Sequence, residues 1–154
     1  MASYRPNSAL IFQRSDGRIL ICERAGRAGA WQFPQGGVDK GETHREAAVR
    51  EGFEETGFRE SDYDIVDVRG PYRYEYPEDV KKAVRLKRGE PYAGQEQFYH
   101  LCRMRSDTLD PEVDGREFRA FRWIRPAEFE IAWLPPFKQA VYRQVLADFF
   151  PSGR

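Results

Sequence analysis

Cysteine and histidine are scarce in this chain of 154 residues, with two of each. Cys22 and Cys102 stand far apart and in no CxxC pair, so neither a disulfide framework nor a cysteine-based zinc site is supported. With His44 and His100 alone, a multi-histidine metal centre is excluded as well. The opening Met1–Pro6 segment lacks an apolar signal core, and no apolar run approaches a membrane span. There is no GxSxG motif and no Ser-His-Asp or Cys-His constellation. Charge of one sign is not in excess: 25 Lys+Arg face 25 Asp+Glu. Overall charge therefore points to no partner, and a nucleic-acid footprint has to be a local patch. What is present suffices for a core, since 40% of residues are hydrophobic and 14% aromatic. The expectation is one domain over residues 1–154, soluble and cytoplasmic, binding neither duplex DNA nor a membrane. Oligomeric state is left open.

Ser8–Phe12 and Ile19–Cys22 are short apolar runs separated by Ser15-Asp16-Gly17, which predicts a β-hairpin. Gly26–Gly29 reads as a flexible loop. Trp31–Val38 predicts a short strand running into a turn at Gly36-Gly37 that exposes backbone. A helix is expected from Thr43 to Thr56, because Thr43 and Glu46 have capping-box spacing and Gly57 suits a left-handed stop. Ile65–Val68, Tyr72–Tyr76, Phe98–Cys102 and Phe118–Ile124 read as strands. Val80–Gly89 reads as a basic loop or short helix. Pro136 opens a final amphipathic helix with Phe137, Val141, Val145 and Phe149 at four-residue spacing. This mixture without regular βαβ alternation favours an α+β domain with a mixed sheet.

The chemistry concentrates in Arg50-Glu51-Gly52-Phe53-Glu54-Glu55-Thr56-Gly57. On a helix, Glu51, Glu54 and Glu55 project together, while Val49 and Phe53 lie roughly opposite and are expected to anchor the helix in the core. Three carboxylates on one face repel unless cations intervene, and hard divalent ions take oxygen ligands together with substrate phosphates. Gly36 and Gly37, just upstream, allow backbone to approach such a group. A lone ExxEE is more often a solvated acidic face.

The wider spacing decides between these readings. Gly36, Glu42, Arg50, Glu51, Glu54, Glu55 and Gly57, with apolar Phe58 closing, reproduce GX5EX7REUXEEXGU, the box of the Nudix hydrolases. The sequence resembles that family of Mg²⁺- or Mn²⁺-dependent enzymes, which cleave a diphosphate linked to another moiety. One departure is Gly52, where the family usually has an aliphatic residue; a mid-helix glycine costs about 1 kcal/mol and forfeits a packing contact. The resemblance implies an α/β/α sandwich built on a central mixed sheet, with the box helix and a C-terminal helix. It implies two or more metal ions held by Glu51, Glu54, Glu55, Glu117 and the carbonyl of Gly36. Arg50 would hold the carboxylates, with Glu42 as its partner. Metal ions would neutralise phosphate charge while a carboxylate takes a proton from water; spacing leaves open whether that base is Glu51 or a Glu outside the box.

Outside the box, Tyr4–Asn7, Trp31–Gly37, Gly94-Gln95, Glu117-Phe118, Arg122-Trp123 and Phe137-Lys138 resemble the bacterial RNA 5′-pyrophosphohydrolases, whose relatives hydrolyse diadenosine polyphosphates. That resemblance assigns Arg5 and Lys138 to phosphate contacts and Phe137 to the first base. It also places Gln35, Gly37 and Gln95 at the substrate. The function expected is conversion of 5′-triphosphorylated RNA to the monophosphate with release of pyrophosphate. Alternatives are a hydrolase of small nucleotides, diadenosine polyphosphates or nucleoside triphosphates, and an inactive RNA or nucleotide sensor on the same fold. Lys81, Lys82, Arg85, Lys87 and Arg88 read either as an electrostatic guide for RNA or as a solvated surface. Tyr72, Tyr74 and Tyr76 read first as one packed strand face and second as a base-stacking surface. Trp31 and Phe33 are expected in the core, and His44 is given no role.

Overall fold

The hairpin expected around Ser15–Gly17 forms. In the computed structural model, which describes residues 3–153, β1 (Tyr4–Gln13) and β2 (Ile19–Arg24) run antiparallel with Gln13 opposite Ile19. β3 (Trp31–Gln32) continues along β2, and β4 (Gln35–Gly37) crosses back to β1. Gly36 then lies opposite Ser8 and Gly37 opposite Asn7. The expected turn at these glycines is thus a strand: they are held in a ladder, and what they leave bare is the side-chain face.

The remaining elements are α1 (His44–Thr56), β5 (Tyr63–Glu75), α2 (Glu78–Arg88), β6 (Gly94–Met104), β7 (Phe118–Ile124) and α3 (Pro136–Phe149). β6 runs parallel to β1 from Tyr4 opposite Gly94 to Gln13 opposite Arg103, and antiparallel to β5; β7 closes on β2. The sheet is therefore mixed. Alternation along β1 and β2 sends Ala9, Ile11, Ile19 and Ile21 to one face, against Val141, Tyr142 and Val145 of α3. Leu10, Phe12, Leu20 and Cys22 go to the other, against Ala48 of α1, Phe58 and Phe118. Two helices sandwich one sheet.

The ends of α1 follow the expected chemistry. Glu46 N donates to Thr43 Oγ1 at 3.1 Å, Thr43 N donates to Glu46 Oε1 at 3.0 Å, and Gly57 stops the helix at φ 76°. Its buried face differs from the expectation. Phe53 is 49% exposed and Val49 half-buried, whereas Ala47, Ala48 and Gly52 are buried. Small residues bring the helix close to β1: a Cβ on Gly52 would stand 3.1 Å from Leu10 Cδ2. Gly52 thus forfeits no contact, because the space an aliphatic side chain would fill is taken by Leu10, and the helix runs through it unbroken.

The two strands expected at Ile65–Val68 and Tyr72–Tyr76 are one, β5, whose register slips between Ile65 and Asp67 and between Arg69 and Tyr72. Tyr76 lies just beyond it. Tyr74 and Tyr76 are buried and join the core on the α3 side. At the far end of the β5–β6 ladder a Cβ on Gly94 would sit 1.9 Å from the Tyr74 carbonyl oxygen. That atom is backbone and cannot step aside. Gly94→Ala is expected to cost about 2–3 kcal/mol by overpacking, lowering the melting temperature by about 5–10 °C in a calorimetric scan.

Candidate active site

The polar face of α1 opens into a cavity of about 330 Å³ lined by Glu51, Glu54, Glu55, Asp114, Arg116 and Glu117. The helix supplies three of the carboxylates, and Glu117 arrives from the residue before β7. Glu55 is buried and accepts from Gln35 N at 3.2 Å. Burial, then the like charges of Glu117 and Glu51, push its carboxyl up to about 10; burial also raises Glu51. A merely solvated acidic face is ruled out at Glu55.

Arg50 ties this face together. Its Nε and Nη2 donate to the two oxygens of Glu42 at 2.8 and 2.9 Å, and Nη2 also reaches the Gly37 carbonyl at 2.9 Å. Nη1 donates to Glu51 at 2.8 Å and to Glu54 at 3.4 Å. The paired guanidinium holds Glu42 down to about 2. The fork spans the carboxylates and the strand that carries the glycines.

Those two glycines separate opposite charges. A Cβ on Gly36 would lie 2.0 Å from Glu51 Cδ, and one on Gly37 would lie 2.1 Å from Arg5 Nη2. Beyond Arg5 a second cavity, of about 370 Å³, brings Arg5, Gln95, Phe137 and Lys138 together with Tyr74 and Tyr76. Phe137 packs on Tyr74 and Tyr76 at centroid distances of 5.6 and 6.3 Å, and Tyr74 OH donates to Gln95 at 2.8 Å. Burial, with Arg24 and Arg27 nearby, pushes the Lys138 amine down to about 8.

Two residues expected at the substrate are placed differently. Gln35 lines neither cavity: its N–H serves Glu55, and its side-chain oxygen accepts from Asn7. Asn7 is held in turn by Gln97, a buried pairing that no motif signals. Gly37 backs Arg5 rather than the cavity itself. Conversely, Arg24 and Arg27, in and after the end of β2, line the second cavity with Lys87 and Arg88 of α2. Arg27 falls in the stretch read as a flexible loop. His44 stacks on Phe98 at 4.3 Å beside Ser8, away from both cavities.

Among the described residues no three Asp, Glu, His or Cys side chains converge tightly enough to grip an ion as they stand. The donor set still fits a hard divalent cation. Four glutamates surround one cavity, the Gly36 backbone beside Glu51 has no room for a side chain, and two of the carboxyls are raised by crowding and burial.

A helix–sheet–helix sandwich carrying this carboxylate helix defines a Nudix-type hydrolase, an enzyme acting on phosphoanhydride bonds with divalent metal ions. The chain belongs to the Nudix family, whose NUDIX domain model matches residues 3–149. It is similar to an RNA pyrophosphohydrolase of Sphingopyxis alaskensis, 37% identical over 152 residues that cover 96% of this chain and 94% of that protein. An RNA pyrophosphohydrolase of Erythrobacter litoralis is 36% identical over 153 residues, covering 95% of this chain and 90% of that protein. Among solved structures, the E. coli dihydroneopterin triphosphate pyrophosphohydrolase shares the fold with a TM-score of 0.71 at 19% identity, over 96% of this chain and 97% of that one.

Proposed function

We propose that this enzyme hydrolyses the 5′-triphosphate end of RNA to a 5′-monophosphate, releasing pyrophosphate. The observation that carries the reading is the junction at Gly36-Gly37, where a carboxylate cavity and a basic, aromatic-walled cavity meet across bare backbone. A polyphosphate lying there has carboxylates for metal ions on one side and Arg5 and Lys138 for its charges on the other. Phe137 offers a face for the first base. The two RNA pyrophosphohydrolases similar over nearly the whole chain support the same substrate.

Two or more Mg²⁺ or Mn²⁺ ions would be held by Glu51, Glu54, Glu55, Glu117 and the Gly36 carbonyl, and would neutralise phosphate charge and polarise water. The chain's own part is positional. Arg50 fixes Glu51 and Glu54, while Arg5 and Lys138 orient the phosphates. A carboxylate of the cluster takes the proton as water oxygen bonds to phosphorus and the anhydride oxygen leaves with its electron pair on pyrophosphate. A competition assay tests the reading. Triphosphorylated short RNA, diadenosine tetraphosphate and GTP are offered together, and RNA is expected to show the highest kcat/KM, weakened by salt. Equal or better rates on the small nucleotides would make this a small-nucleotide hydrolase instead.

Lys138 gives a pH signature. Its ammonium is present below about 8 and lost above, so kcat/KM is expected to fall as pH rises through that value. Lys138→Arg keeps its charge and should remove that fall. An unchanged alkaline limb in the variant would assign the titration elsewhere.

A further inference from the structure

α2 has a second basic face that the cavity beside Phe137 does not use. Val80, Ala83, Val84, Lys87 and Arg88 turn inward to that cavity, as their helical spacing requires. Lys81, Lys82 and Arg85 turn the other way and, with Tyr92 and the Pro91–Ala93 backbone, line a separate cavity of about 400 Å³. The acid lining it is Glu78, which is paired with Lys81 at 3.4 Å. Among the described residues neither Lys82 nor Arg85 has a carboxylate within ion-pair reach. Compensation of the helix dipole accounts for cations in the last turn, Arg85, Lys87 and Arg88, but not for Lys81 and Lys82 near the start. Nor does packing account for them, since no residue of α2 is buried. Two cation-lined hollows on opposite sides of one thin helix suit a single polyanion that passes over it.

We propose that the outer face of α2, Lys81, Lys82 and Arg85 with Tyr92, is a second RNA subsite that binds backbone phosphates downstream of the nucleotides held beside Phe137. The proposal rests on the RNA reading above. A helix with its side chains is about 10–12 Å across, so a strand must run a few nucleotides past the reacting end to reach the outer hollow. Short substrates end before it. Phosphate contacts of this kind add affinity without sequence preference and are screened by salt.

The test is the double substitution Lys82→Gln with Arg85→Gln in the full chain, assayed on a triphosphorylated dinucleotide, on a triphosphorylated RNA of about 12 nucleotides, and on diadenosine tetraphosphate. Wild type is expected to show a lower KM for the longer RNA than for the dinucleotide. The variant should raise the longer RNA's KM about tenfold and flatten its salt dependence by about one unit of log–log slope, with kcat unchanged. Its KM for the dinucleotide and for diadenosine tetraphosphate should not move, which also reports that the inward face of α2 is intact. Equal wild-type KM values for the two RNA lengths would overturn the subsite, as would a variant that weakens long and short substrates alike. Binding of a 5′-hydroxyl RNA of the same length, followed by fluorescence anisotropy, separates this from the function itself. If triphosphorylated RNA is not hydrolysed yet this binding is lost in the variant, the RNA-end activity fails and the subsite stands. If hydrolysis proceeds and the 5′-hydroxyl RNA binds wild type and variant equally, the subsite fails and the activity stands.

Discussion

Glu54→Gln is expected to reduce turnover about 10³-fold, equivalent to about 4 kcal/mol of transition-state stabilisation, while the melting temperature and substrate binding stay near wild type. The substitution keeps the side chain's shape and removes its charge. Glu54 is 55% exposed at the cavity mouth, so no packing is lost, and the amide oxygen can still accept from Arg50 Nη1 at 3.4 Å. What disappears is an anionic oxygen donor facing Glu51, Glu55 and Glu117. Single-turnover kinetics with saturating Mg²⁺ and a calorimetric scan measure the two halves. Wild-type turnover in the variant would remove Glu54 from the working cluster. Binding without turnover in the wild-type protein itself would favour the sensor alternative.

Arg50→Met is expected to damage both stability and activity, the former by about 2–3 kcal/mol. Its side chain is 30% exposed, but Glu42 and Glu51, which it holds, are each 16% exposed. Removing the guanidinium strands two largely enclosed carboxylates and the Gly37 carbonyl. A fully buried pair would cost more when broken, and partial exposure moderates the figure. The pH dependence carries a sign. Glu42 is held down to about 2 in the folded chain, against an ordinary value of 4.5. The stability it contributes is therefore complete above about 4.5 and is lost as pH falls towards 2. In Arg50→Met that acid-side loss should shrink, because the carboxyl no longer titrates differently on folding. Urea denaturation at a series of pH values reads both effects. A variant as stable as wild type at neutral pH, with the same acid limb, would show the fork to be ornamental.

The helix carrying the carboxylates was legible because its signals are local: Thr43 with Glu46 caps one end, and Gly57 stops the other. The Arg50–Glu42 pairing followed from motif spacing, and the structure shows both bonds. The buried side of the same helix was not legible. A large apolar residue such as Phe53 looks like an anchor by periodicity, yet contact this close with β1 is possible only through Ala47, Ala48 and Gly52. Likewise, Tyr63–Glu75 reads as two strands because each register slip interrupts the two-residue alternation on which a strand is recognised. The second cavity was half visible. Arg5, Gln95, Phe137 and Lys138 came from resemblance, but Arg24 and Arg27 meet them through tertiary folding, which leaves no pattern in nearby residues. The basic segment showed its charge in the sequence, and only its helical geometry divides that charge between two faces.

The parallel pairing of β1 with β6 has a consequence for the order in which the protein is made. Arg5 is set opposite Gln95, and Lys138 waits on α3. A ribosome adding about 5–20 residues per second finishes the carboxylate helix several seconds before these partners emerge. During that interval the nascent chain owns its carboxylates without the cavity that would present an RNA end to them. Competence against RNA therefore arrives with the last stretch of synthesis, and an unfinished chain leaves its own message alone.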